Sequence, residues 1–327
     1  MRLGRSLLGA FTLVLLVICV FLTVDRLVAP RGAVAVVAMT FVAYAFVGYL
    51  VCLTVGLWLR HRPVRARGRL ANRLWSAVSA IALVGAALHA AWLAPSYLGS
   101  HPSQEPTLTV LQLNTRFGQA DPQQVVQLAT ARHADVVVLE ELNPRAAAGL
   151  GAAGLGKLLP HWWGAASAGT MVFSRWPLQH PSQLPVSKGA VRVRVGAPQP
   201  FWLIGLHTTQ PLVSTPVWQR DLSEVRRVVS RQRGAGVVVG DFNATLNHGP
   251  MRGLLGTGLR DAAQAGNSGW QPTWPSDDVA HVLGVPIPVS LFTLDHVLVT
   301  HQIDVVSTRT ITVGGTDHQA LVASLVR

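Results

Sequence analysis

Gly240-Asp241-Phe242-Asn243 and Thr316-Asp317-His318 bring together the residue types that phosphoryl chemistry requires. A carboxylate beside an amide, plus a carboxylate beside an imidazole, is a minimal set for metal-assisted attack on phosphorus. Each segment borders a short apolar run, Val237-Val238-Val239 before the first and Ala320-Leu321-Val322-Ala323 after the second. Such runs deliver polar side chains to the rim of a buried sheet. Either segment alone reads equally well as a turn, since Asn and Asp at strand ends are most often turn formers.

Other strand ends repeat the pattern. Asp135-Val136-Val137-Val138-Leu139-Glu140-Glu141 is a buried strand running into two acids. Side chains two apart share a face, so Glu141 is expected to follow Leu139 and Val137, with Glu140 turned the other way as a bystander. The same parity groups Asp241 with Asn243 and turns Phe242 into the core. Asn114 closes an apolar strand, His207 closes another, and Asp295-His296 opens a third. The oxygen-rich set of Glu141, Asn114 and Asp317 suits a hard cation such as Mg2+, with Mn2+ as the alternative. It does not suit zinc, which favours His and Cys. His207 alone is as readily structural. His61, His101, His161, His180 and His281 show no pattern, and Trp162-Trp163 reads as core or interface. The glycine-rich stretch 149–156 lacks the Gly-Lys-Ser/Thr ending of a phosphate-cradling loop and reads as a flexible connector. It is the joint pattern that points to a hydrolase.

Positioning these groups requires short strands alternating with amphipathic helices. Strands are predicted at 108–113, 135–142, 170–174, 190–195, 201–207, 236–241, 292–300 and 319–326. Helices are predicted to start at Asp121-Pro122 and Thr215-Pro216, where a capping side chain precedes a proline. In the second, Leu222, Val225, Val228 and Val229 follow helical spacing, with Arg226, Arg227 and Arg231 on the wet side. The fold class is α/β, two packed β-sheets flanked by helices.

Residues 1–94 are different in kind. Three apolar stretches, 7–24, 33–59 and 74–94, each approach the ~20 residues that cross a hydrocarbon core. A linker, 95–107, and a domain, 108–327, follow. The net charge of +12 suggests nucleic acid until it is mapped. Residues 1–94 hold ten arginines against Asp25, whereas residues 95–327 hold 17 Lys and Arg against 14 Asp and Glu. Arg2 and Arg5, with Arg60, Arg62, Arg65, Arg67, Arg69 and Arg73, place the N-terminus and second loop in the cytoplasm by the positive-inside rule. Three spans then put the domain outside the cytoplasm, although Arg26 and Arg31 oppose this. The two cysteines, Cys19 and Cys52, fall inside predicted spans, so the domain must be held by its core.

The ordered blocks Asn114, Glu141, Ser174-Arg175, His207, Gly240-Asp241-Phe242-Asn243, Asp295 and Thr316-Asp317-His318 resemble the endonuclease/exonuclease/phosphatase superfamily, which is DNase I-like. The resemblance covers about 108–327. It implies a DNase I-like four-layer sandwich in which Glu141 is the principal Mg2+ ligand, helped by Asn114 and Asp317. Asp241, with Asn243, would position and deprotonate the attacking water. His318, oriented by Asp295, would stabilise the phosphoryl oxygens, and His207 would add a second donor. Glu140 departs from the family, which more often has Gln there, and is expected to add a negative charge beside Glu141. Arg116 has two readings, a phosphate contact or a surface arginine. The three-span anchor is similar to the actinobacterial membrane subgroup that includes the VanJ-type glycopeptide-resistance proteins.

The expected activity is metal-dependent hydrolysis of a lipid-linked phosphate or pyrophosphate, such as a polyprenyl carrier, at the outer membrane face. The subgroup resemblance adds teicoplanin-type resistance. The expected partners are the bilayer and a lipid-linked phosphate, not nucleic acid, because DNA binding draws on dense basic contacts. An anchored nuclease or phospholipid phosphodiesterase is the enzymatic alternative, and a non-catalytic membrane scaffold is the third reading.

Overall fold

The computed structural model describes residues 2–60, 69–98, 104–166, 169–276, 281–282, 285–286 and 289–327. Arg62, Arg65, Arg67, His61, His101 and the middle of the linker lie outside the described residues. Two compact units divide the chain, residues 1–95 with 247–249 and residues 96–246 with 250–327.

The N-terminal unit contains α1 (Arg2–Val28), α2 (Ala33–Ala38), α3 (Ala45–Arg60) and α4 (Arg69–Leu93), with a 3-10 segment, Met39–Tyr44, joining α2 to α3. Ser6–Val28, Ala33–Arg60 and Arg69–Ser96 are each long and apolar enough to cross a membrane. Cys19, Val42, Tyr49, Cys52, Val78 and Ala82 pack where the helices meet. Thr23 Oγ1 lies 2.7 Å from the Tyr49 hydroxyl and 3.0 Å from His89 Nε2, a polar link among all three long apolar helices. Such links hold helices together where apolar surface is already solvated by lipid. Both cysteines are unpaired.

The larger unit begins with β1 (Leu108–Asn114), α5 (Pro122–Ala131), β2 (Val136–Leu142), α6 (Pro144–Ala153), α7 (Leu155–Leu158), β3 (His161–Gly164) and β4 (Gly169–Ser174). It continues with β5 (Leu178–Gln183), β6 (Ala190–Val195), β7 (Phe201–His207), α8 (Pro211–Val229), β8 (Gly236–Asp241) and α9 (Gly249–Leu255). The rest is β9 (Arg260–Asp261), α10 (Ala262–Ala265), β10 (His281–Val282), β11 (Val285–Pro286), β12 (Asp295–Val299), β13 (Asp304–Ile311) and β14 (Ala320–Val326). Two mixed sheets form, ordered β13-β14-β1-β2-β4-β3 and β5-β6-β7-β8-β12-β9, with β10-β11 as a separate hairpin. Helices flank the packed sheets, as the α/β reading expects.

Period-2 patterning explains the stacking. Val110, Val136, Val138, Leu203, Val237, Val239, Val297 and Val299 share one buried cluster between the sheets. Leu111, Leu113, Val137, Leu139 and Leu142 face the other way, into a cluster with Val125 and Ala129 of α5 and Ala146 and Leu150 of α6. Each such side chain, once fully buried, contributes about 1.5–3 kcal/mol before chain entropy is counted.

Several elements differ from the sequence expectation. The glycine-rich stretch 149–156 is helical over most of its length, because Asn143 caps α6 through Ala146 N–H at 2.8 Å and Pro144 starts its first turn. Helix α8 begins at Pro211, before the expected Thr215, but Ser214 takes non-helical angles, so the regular helix does run from Thr215. Strand β5 carries Pro181 at a sheet edge, where a missing N–H costs no ladder bond.

Candidate active site

Strand register assembles the site. Asn114 lies opposite Glu140 in the parallel pair β1–β2, His207 opposite Asp241 in the parallel pair β7–β8, and Asp295 opposite Asp241 across β12–β8. These residues occupy the strand positions that continue the inter-sheet valines, so the apolar core runs directly into a polar end. Asn114, His207, Asp241, Asp295 and His318 are all buried.

The Gly-Asp-Phe-Asn segment turns sharply at the end of β8. Gly240 has φ +147°, and a Cβ there would lie 1.9 Å from the Leu206 carbonyl oxygen, so only glycine fits. Asp241 Oδ1 accepts from Asn243 N–H at 2.8 Å, and Asp241 Oδ2 accepts from the Asn114 amide at 3.0 Å. The Asn243 amide itself donates to the Thr208 carbonyl at 3.0 Å, which braces the turn. Phe242 is fully buried, as parity predicts.

Asp295 Oδ2 meets His318 Nδ1 at 2.8 Å. Burial opposes charge on His318, but the Asp295 carboxylate outweighs it and pushes the imidazole up to about 10. Burial likewise works against an ionised Asp295, yet the His318 charge holds its carboxyl below the usual range. The pair is therefore ionic at neutral pH. His318 Nε2 lies 3.8 Å from Asp241 Oδ2. Burial, followed by repulsion from Asp295, raises the Asp241 carboxyl to about 7. Burial and the His318 charge push His207 down to about 3, leaving it neutral, with Nε2 3.5 Å from Asp241 and 3.8 Å from Glu141. That buried Nε2 has no hydrogen-bond partner, an open position aimed at the carboxylates.

The parity expectation for Glu141 fails, for a local reason. Glu141 adopts φ +54° within a bulge between Glu140 and Leu142. The extra residue lets Leu142 take the outer face that Glu141 would have occupied. Glu141 is freed to the rim, where Oε2 accepts from Phe117 N–H at 2.9 Å. Glu140 is no bystander. It is fully buried, and burial, followed by repulsion from the Asp295 charge, pushes its carboxyl well above the usual range, which works against the expected negative charge beside Glu141.

Asp317 is half-buried and its Oδ2 accepts from Trp274 Nε1 at 3.4 Å, while Thr316 Oγ1 donates to the Asn114 carbonyl at 2.7 Å. Ser174 and Arg175 are not brought to the site. Ser174 pairs with Val136 at the far end of β2, and Arg175 forms an ion pair with Asp135 at 3.1 Å. Arg116 adopts φ +48° and gives its N–H to Asn114 Oδ1 at 2.9 Å.

Asp241, Asp295 and His318 offer ligand atoms within 4.8 Å of one another. Both Asp295 oxygens, however, already accept hydrogen bonds, from Gln112 and His318. Glu141 and Asp317, both half-buried, and the buried Asn114 carry side-chain oxygens of the kind a hard cation takes.

Sequence reading missed the braces. His296 is buried between Asp261 Oδ2 at 3.0 Å and the Ala244 carbonyl at 2.9 Å, and it packs edge-on against Phe242 at 5.6 Å. Thr208 Oγ1 donates to the Phe242 carbonyl at 2.7 Å. Gln112, buried inside a strand otherwise apolar, was visible as an anomaly.

A family model described as Endonuclease/Exonuclease/phosphatase family matches residues 111–318. The chain belongs to that family. Its members are hydrolases of the phosphatase and nuclease type and generally use divalent metals. Among solved structures, a family protein from Leptotrichia buccalis aligns at 15% identity with TM-score 0.52, covering 68% of this chain and 100% of its own. A Bacteroides thetaiotaomicron mannosyl-6-phosphatase aligns at 14% identity with TM-score 0.52, covering 68% and 100%. D. rerio TDP2, complexed with a single-strand DNA product, aligns at 14% with TM-score 0.53, covering 67% and 99%. These likenesses establish the fold. None of the curated proteins matches the chain.

Proposed function

We propose that this protein is a membrane-anchored, Mg2+-dependent phosphoesterase or pyrophosphatase that acts at the outer membrane face on a lipid-linked phosphate, such as a polyprenyl pyrophosphate. The observation that carries the hydrolytic reading is the buried Asp295–His318–Asp241 cluster, with a charged imidazole beside a carboxylate that titrates near neutrality.

In this reading Asp241 orients a water molecule and takes its proton as the water oxygen attacks phosphorus. His318, held charged by Asp295, faces the phosphoryl oxygens and neutralises the charge that builds on them. Neutral His207 offers Nε2 to the same oxygens. Glu141, with Asn114 and Asp317, would hold the metal, which when bound would supply further charge neutralisation at the phosphate. Asn243 acts through its N–H on Asp241.

Two features support a lipid substrate. Phe117 (65% exposed), Leu212 (80%) and Val213 (71%) stand on the segments that follow β1 and β7, just beyond Asn114 and His207. The same chain has three helices apolar enough to span a bilayer, joined to β1 by about a dozen residues, a tether of about 40 Å at most. The arginine distribution supports an outward-facing domain. A reporter fused to the C-terminus and active only in the cytoplasm would overturn that orientation. The glycopeptide-resistance resemblance extends the proposal to teicoplanin-type resistance through cell-wall lipid recycling.

The test is a substrate panel with full-length protein and Mg2+, comprising prenyl pyrophosphate, phospholipid, nucleotide and DNA. Phosphate release from the prenyl pyrophosphate supports the proposal. Cleavage of DNA or phospholipid alone establishes the nuclease or phosphodiesterase alternative, and a resistance phenotype that survives Asp241→Asn establishes the scaffold.

A further inference from the structure

Gln112 sits on β1 with no accessible surface, at a position whose neighbours of like parity are Val110 in the core and Asn114 at the site. Its Nε2 donates two hydrogen bonds, to Asp295 Oδ1 at 2.7 Å and to Glu140 Oε2 at 2.9 Å. β1 and β2 belong to one sheet and β12 to the other, so this amide ties the sheets together beneath the site. The far oxygen of Asp295 is the one that meets His318 Nδ1 at 2.8 Å.

We infer that Gln112 is a positioning residue for His318. By holding Asp295 Oδ1 from the opposite sheet, it fixes the carboxylate plane so that Oδ2 meets the imidazole. A carboxylate on a strand end otherwise rotates about its terminal torsion, which is broad and weakly restrained. Asp295 N–H is held by Thr273 Oγ1 at 3.1 Å, and the Thr273 hydroxyl also reaches the carboxyl, so Gln112 adds the restraint that comes from the opposite sheet. Glu140 anchors the amide from the other side. With one N–H given to each carboxyl group, Gln112 uses both of its donors, and swapping its amide atoms would set its oxygen against the Asp295 carboxylate. The acid at position 140 and the amide at 112 form one unit in this chain. Outer partners of this kind change activity by about 10- to 100-fold when removed.

The catalytic consequence rests on the hydrolytic reading above, but the geometry can be tested without it. The probe is the low-field proton resonance of the His318 Nδ1–H, recorded on full-length protein in detergent and assigned by its loss in His318→Ala. In Gln112→Met that resonance should shift or broaden, and Gln112→Asn, which keeps polarity but shortens the reach, should do the same. Glu140→Gln, which keeps an acceptor for the Gln112 amide, should retain it. On the active enzyme, Gln112→Met should lower kcat about 10- to 100-fold with KM within about twofold, because only the charge-stabilising geometry changes. An unchanged resonance in both Gln112 variants overturns the inference whatever the rates are, as does its absence from the wild-type spectrum. Loss of the resonance in a protein that hydrolyses none of the panel upholds the positioning role and rejects the hydrolytic reading alone.

Discussion

Replacing Asp241 by Asn should stabilise the protein at alkaline pH and not at acid pH, even as it abolishes activity. The carboxyl titrates from 3.8 in an ordinary setting to about 7 in the fold, with burial as the main cause and Asp295 as the second. Between those values the folded chain binds a proton that the unfolded chain has lost. Stability from this group is therefore full below about pH 4 and declines as pH rises through 7. About 3 pH units at about 1.4 kcal/mol each sets an upper bound of about 4 kcal/mol on the decline. The substitution also costs about 1 kcal/mol at every pH, because the Asn114 amide would meet another amide hydrogen in place of its acceptor. Asp241→Asn should thus gain on wild type by up to about 4 kcal/mol between pH 4 and pH 8. In a domain of this size that corresponds to a Tm gain of up to about 8–16 °C. The assay is thermal unfolding of both full-length proteins in detergent with EDTA, across that range. Added Mg2+ should shrink the difference by stabilising the ionised wild type. A gap between variant and wild type that stays constant with pH would refute the buried-charge account of this site.

The remaining expectations are narrower. The rate of hydrolysis against pH should rise through about 7 as Asp241 loses its proton and fall near 10 as His318 loses its own, a bell measurable from kcat/KM. His318→Ala should lower kcat about 100- to 1000-fold in steady-state assays, because the charge it carries is matched to the transition state. Gly240→Ala should destabilise the domain by about 2 kcal/mol or more in denaturant titration, since its Cβ would collide with the Leu206 carbonyl at φ +147°. EDTA should abolish turnover and Mg2+ restore it, read as phosphate release.

Much of this arrangement was legible in the residues, and the failures have local causes. Apolar runs such as Val237-Val238-Val239 announce buried strands by composition, and parity then sets Asp241 apart from Phe242. The same reasoning misplaced Glu141, because a bulge adds a residue without altering the apolar pattern around it. Strand β13, Asp304–Ile311, has only a few buried positions at a sheet edge and lacks the apolar run of a central strand. Helix α6 hid behind its glycines, since its cap and first-turn proline outweigh weak propensity. Protonation was the least visible property. Glu140 looks like an added charge in sequence, yet burial pushes its carboxyl well above the usual range, because desolvation depends on what covers a residue and not on its neighbours in the chain.

One measurement bears most directly on the central claim, phosphate release from a bilayer-embedded prenyl pyrophosphate by the full-length protein with Mg2+, compared with Asp241→Asn. The wild type should turn the substrate over and the variant should not. Equal rates from the two proteins, or release from no lipid substrate alongside cleavage of DNA, would contradict it.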